Sequence, residues 1–151
     1  QYRHPAGFVL VEPPAGLLDL DGEPPLAAAQ RELAEEALLR AADWRVLVDL
    51  FTSPGASEES IRIFLARGLS PAPRPAGFVL EGEEAAMDAG WVEVEEAVQA
   101  VYEGRLQSPT LLAGLLAYWG ARQAGTLDRL RPGDAPWPAR QAKRARDAAA
   151  R

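Results

Sequence analysis

Residues Gly16 to Leu39 read GLLDLDGEPPLAAAQRELAEEALL, and the second half of this stretch decides the fold. From Leu26 to Leu39 nearly every residue is Ala, Leu, Glu, Arg or Gln, all good helix formers. Pro24 and Pro25 suit a helix entrance and not its interior. Leu26, Ala29, Leu33 and Ala37 recur at helical spacing and mark a buried face. Glu32 and Glu36 are four apart and share a face, with Glu35 beside them. Like charges so placed repel by roughly 0.2–0.5 kcal/mol per pair. A hard divalent cation reverses that cost, and oxygen ligands suit Mg²⁺, which bridges carboxylates to phosphates. Taken alone, such a helix also reads as a solvated acidic surface.

Outward from this helix, Phe8 to Glu12 predicts a short strand, broken by Pro13-Pro14-Ala15-Gly16. Trp44 to Thr52 and Ile61 to Leu69 are β-rich runs, joined by a loop at residues 53–57. Residues 70–89 are a long loop rich in Pro, Gly and Glu, the kind that is often functional. Trp91 to Val94 predicts a strand, Glu95 to Glu103 a helix, and Ser108 to Gln123 a longer helix with Pro109 in its first turn. Residues 125–139 read as irregular and 141–151 as a basic, solvated or frayed tail. Trp44, Trp91 and Trp119 sit in apolar runs and are expected in the core. His4, the sole histidine, is expected to be structural. The hexapeptide PAGFVL occurs at 5–10 and 75–80, and two copies do not make a repeat architecture.

The chain has 151 residues, 48% apolar and 25% charged, enough for one globular domain with a real core. Its net charge of −6 argues against nucleic acid as a partner. No apolar run approaches a membrane span. With no cysteines, disulfides and thiolate metal sites are excluded. A cytoplasmic location without a signal peptide is the expectation.

The stretch from Gly16 resembles the Nudix box: Gly, a spacer, Glu, seven residues, then Arg-Glu-aliphatic-x-Glu-Glu-x-Gly-aliphatic. Gly16, Glu23 and the run Arg31 to Leu39 fill it. The flanking blocks QYRHP (1–5), EPPAGLLD (12–19), SPGASEES (53–60), EGEEAAMD (81–88) and SPTLLAGLLA (108–117) are similar to bacterial ADP-ribose pyrophosphatases of that superfamily. The resemblance implies an α+β fold, a mixed β-sheet sandwiched between helices. It sets a catalytic domain over 1–125, expected to lack its N-terminal strands, and an irregular, basic extension over 126–151. It implies Mg²⁺, with Mn²⁺ as an alternative, bound by the Ala15 carbonyl, Glu32, Glu35 and Glu36. Arg31 and Glu23 would form a salt bridge that orients these carboxylates. Of Glu81, Glu83 and Glu84, the last aligns best with the family's water-activating glutamate, and Glu83 or Glu84 is the expected base.

The same resemblance places Arg3 against the diphosphate or terminal ribose, and Glu12, Ser57 and Glu59 around the ribose. It implies hydrolysis of ADP-ribose to AMP and ribose 5-phosphate, and a homodimer in a full-length form. The alternatives are another nucleoside diphosphate sugar or dinucleotide as substrate, or a non-catalytic nucleotide-binding module. This chain departs from the pattern in a spacer one residue longer before Glu23. It also has Leu38 where the box has Gly, which is expected to lengthen the helix or strain the turn after it. Ala86 replaces an acidic residue common after the loop glutamates.

Overall fold

The acidic helix forms as its composition dictates, and its ends explain how it is held. In the computed structural model, which describes residues 1–75 and 87–149, helix α1 runs Pro25–Ala37. Pro24 is extended and Pro25 occupies the first turn, where a missing N–H costs nothing. At the other end Leu38 adopts the left-handed conformation, with φ 55° and ψ 37°, and its N–H donates to the Leu33 carbonyl. Among the described residues it is the only non-glycine with positive φ. The helix therefore is not lengthened past Leu38, the position where the box it resembles has Gly, and stops there at the cost of a left-handed leucine.

From Leu38 the chain turns directly into β3 (Leu39–Phe51), which pairs antiparallel with β4 (Ser60–Pro71) over almost its whole length. Near the N-terminus, β1 (Tyr2–Arg3) and β2 (Phe8–Val9) form a separate two-stranded ladder. The predicted strand from Phe8 to Glu12 is thus reduced to its first two residues. A short β5 (Arg131–Pro132) flanks β3 on its other side, giving the order β4-β3-β5. The α+β class holds. Every strand pair among the described residues is antiparallel, where a mixed sheet was expected.

Within the hairpin, Val46 pairs with Phe64 but Val48 pairs with Ile63, leaving Leu47 as an extra residue. This bulge turns Val46 and Val48 to opposite faces of the sheet. Trp44 and Phe64 lie on one face and meet edge-to-face at 5.9 Å. On the other face, Ile63 packs against α3 (Pro109–Gln123) at Gly114, where a Cβ would stand 3.1 Å from the isoleucine. Helix α2 (Val94–Tyr102) buries Ala97, Val98 and Ala100.

The C-terminal stretch is fastened by one buried cation. Arg62, with a side chain only 3% exposed, pairs with Asp49 at 2.7 Å. It also donates to the carbonyls of Ala135 and Pro136 and stacks over buried Trp137 at 4.9 Å. Arg131 reaches the same aspartate. Burial pushes the Asp49 carboxyl up, but its bonds to Arg62 and Arg131 hold it below the ordinary aspartate value.

Three expectations are corrected here. Residues 91–93 form no strand, and Trp91 is 81% exposed; the helix that follows starts at Val94 and packs on α3. The tryptophan that enters the core is Trp137. The basic tail is helix α4 (Pro138–Ala149), which its Ala, Arg, Gln and Lys content favours, which the i,i+4 pair Lys143–Asp147 supports, and which Lys143 ties to Glu58. No helix among the described residues is long and apolar enough to cross a membrane.

The left-handed turn at Leu38 gives a stability test. Leu38→Gly and Leu38→Ala both remove the branched end of the side chain, but only glycine, which also lacks Cβ, removes a left-handed penalty of about 1 kcal/mol. Leu38→Gly is expected to melt roughly 2–4 °C above Leu38→Ala, the reverse of the order inside a helix. Equal melting temperatures would show that the turn is unstrained.

Candidate active site

The site is built on the C-terminal half of α1, where Arg31 gathers the carboxylates. Its Nε and Nη2 face the two oxygens of Glu23, each at 3.2 Å. Its Nη1 donates to Glu32 Oε1 at 2.6 Å and to Glu35 Oε2 at 2.9 Å. One guanidinium thus holds three glutamates through four bonds, two of them to Glu23, which its planar fork allows and the three donors of an ammonium would not match. The bond to Glu23 foremost, against an opposing effect of burial, and then Glu32 and Glu35 push the Arg31 pKa further above its usual range. It stays cationic at any accessible pH. Glu35 is the most enclosed, only 6% exposed.

The Pro-Ala-Gly turn lies on the same helix face. The Ala15 N–H donates to Glu36 Oε2 at 3.0 Å. A Cβ on Gly16 would fall 1.9 Å from Glu32 Oε1, so the glycine backbone lies directly against that carboxylate. Glycine is needed here for close approach and not for its backbone freedom. The structure therefore brings together Ala15, Glu32, Glu35 and Glu36, and the expected Arg31–Glu23 salt bridge forms beside them.

These groups fit a hard cation by donor chemistry: carboxylate oxygens and a neighbouring backbone turn. Among the described residues no three acidic side chains by themselves form a cage for an ion. Mg²⁺ does not need one, because it is commonly held by one or two carboxylates together with substrate phosphates and water.

The remaining predicted residues fall into two other places. Arg3 Nε donates to Glu12 Oε2 at 2.6 Å. The other oxygen of Glu12 accepts from Ser108 Oγ at 3.2 Å. Ser108 is fully buried at the N-terminus of α3, and nothing in its sequence context pointed to this contact across 96 positions. Ser57 and Glu59 belong to the hairpin turn: the Glu59 N–H donates to Ser57 Oγ at 2.9 Å, and Thr52 Oγ1 donates to Glu59. This turn is at the far end of β3 from Leu38. A 13-residue strand spans roughly 40 Å, so the structure does not bring Ser57 and Glu59 to the box carboxylates. Glu83 and Glu84 lie outside the described residues.

Comparison with known proteins adds an independent finding. A family profile described as NUDIX domain matches residues 1–113. An ADP-ribose pyrophosphatase of Mycobacterium tuberculosis is 50% identical over 117 residues, covering 78% of this chain and 55% of that protein. A methanol dehydrogenase activator of Bacillus methanolicus is 37% identical over 114 residues, covering 75% of this chain and 60% of that protein. An ADP-ribose pyrophosphatase of Bacillus subtilis is 38% identical over 96 residues, covering 64% and 47%. The chain thus spans about half the length of these relatives.

The contact at Gly16 can be probed alone. Gly16→Ala would drive its methyl into the Glu32 carboxylate, the far end of a flexible side chain. The expected outcome is a displaced carboxylate on an intact fold: divalent-cation affinity falls at least severalfold while the melting temperature hardly moves. Unchanged affinity by titration calorimetry would show that Glu32 is not held in place by this turn.

Proposed function

This chain belongs to the Nudix family, and from that premise we propose that it hydrolyses the diphosphate of ADP-ribose to AMP and ribose 5-phosphate in an Mg²⁺-dependent reaction. The observation that carries this reading is the acidic face of α1, gathered by Arg31 and covered by the Ala15–Gly16 turn. The kinship to two proteins named ADP-ribose pyrophosphatase supports the choice of substrate.

In this reading Glu32, Glu35, Glu36 and the Ala15 carbonyl hold Mg²⁺, with Mn²⁺ as a substitute. The bound cation would neutralise phosphate charge and acidify a water molecule. Arg31 keeps Glu32 and Glu35 in fixed directions, so the ligands need not reorganise as charge develops. The water oxygen forms a bond to one phosphorus. The bond from that phosphorus to the bridging oxygen breaks, and the second phosphate leaves as a monoester. Glu83 or Glu84 accepts the water proton, a role that rests on resemblance alone. Arg3, held by Glu12, is assigned to the diphosphate or terminal ribose. Ser57 and Glu59, at the far end of the hairpin, are left out of this chain's own site. A homodimer and a cytoplasmic location belong to the same reading.

A panel of ADP-ribose, other nucleoside diphosphate sugars and dinucleotides, each with and without Mg²⁺, tests it by phosphorus NMR of the products. The expected result is AMP and ribose 5-phosphate from ADP-ribose, only with the cation. Glu36→Gln should lower turnover at least a hundredfold with little change in melting temperature. Faster cleavage of another member of the panel would reassign the substrate. Wild-type turnover in Glu36→Gln would remove α1 from the chemistry.

A further inference from the structure

Helix α1 has a C-terminus that its own sequence does little to stabilise. Its last turn holds no basic residue, and Glu35 and Glu36 place negative charge at the negative end of the helix dipole. The final carbonyls lack partners within the helix, and the chain leaves through the left-handed Leu38. These same last residues carry two of the carboxylates on which the proposed reaction depends.

A cation from elsewhere supplies what is missing. Because Leu39 pairs with Pro71 at the end of the hairpin, the chain that follows β4 passes across the end of α1. The Ala72 N–H donates to the Leu38 carbonyl at 2.9 Å. Two residues on, Arg74 Nε donates to the Glu35 carbonyl at 3.1 Å. This bond holds the peptide that joins Glu35 to Glu36, and so the directions in which both side chains leave the backbone. It also sets a positive charge at the helix C-terminus, where the dipole favours one. Arg74 is itself exposed and lies 39 positions from its acceptor, outside the box.

We infer that Arg74 is a positioning residue for the metal-binding face of α1, acting through the Glu35 carbonyl; the inference rests on the reading of that face given above. Groups behind a ligand commonly change metal affinity by about 10–100-fold when removed. The test is Mn²⁺ binding, followed by electron paramagnetic resonance in the absence of substrate, on wild type, Arg74→Ala, Arg74→Lys and Glu36→Gln, with thermal melts of each.

Arg74→Ala is expected to bind Mn²⁺ about tenfold more weakly with a nearly unchanged melting temperature. Arg74→Lys, which keeps a cationic donor, should recover part of the loss. Wild-type affinity in Arg74→Ala overturns this inference alone, as does a loss of affinity matched by a general loss of stability. If wild type binds no Mn²⁺, or Glu36→Gln binds it equally well, the reading of α1 falls and this inference with it.

Discussion

The structure depends on one guanidinium. Three glutamates within five residues of one helix repel one another, and Glu35 among them is almost wholly buried. Arg31 makes this arrangement tenable by donating to Glu32 and Glu35 from a single nitrogen. Its other donors hold Glu23, which lies just before the Pro24–Pro25 entrance to the helix. One side chain therefore fixes both the carboxylates and the path by which the chain enters the helix that carries them. Removing a partner from so enclosed a group costs far more than a surface ion pair is worth.

This knot also decides what the site can do. With Glu32 and Glu35 turned toward Arg31, and Glu36 accepting from the Ala15 amide, the acidic face is ordered but not closed into a cage. A cation would be shared between carboxylates and the phosphates of a bound diphosphate, which ties metal binding to substrate binding. The groups read as substrate contacts are spread more widely. Arg3 and Glu12 are fixed by Ser108 at the start of α3, while Ser57 and Glu59 sit at the far tip of the long hairpin.

What was legible in the sequence followed from local spacing. The extent of α1 and the entrance at its prolines could be read from composition and spacing alone, whereas the Arg31–Glu23 pair came from the resemblance to the box. Leu38 stands out against the box pattern, which has Gly there, and its left-handed backbone resolves that conflict. The bulge at Leu47 was not legible, because register is a property of two strands. Nor was the clamp of Arg62 on Ala135, Pro136 and Trp137, whose partners are more than seventy positions apart. Trp91 shows the opposite failure: an apolar run predicted burial, but the start of α2 left the ring in solvent. Ser57 and Glu59 were assigned by resemblance, which carries no information on how far a strand of this length takes them from the box.

The central claim is that Arg31 balances a carboxylate cluster poised for a divalent cation. Arg31→Met tests it most directly, in thermal melts with and without Mg²⁺ or Mn²⁺. The account predicts that without a divalent cation the variant melts several degrees below wild type, because three carboxylates lose their common partner. It predicts that the added cation restores a large part of the loss, by taking over the charge that Arg31 neutralised. A variant that melts like wild type, or whose loss no divalent cation relieves, would contradict it.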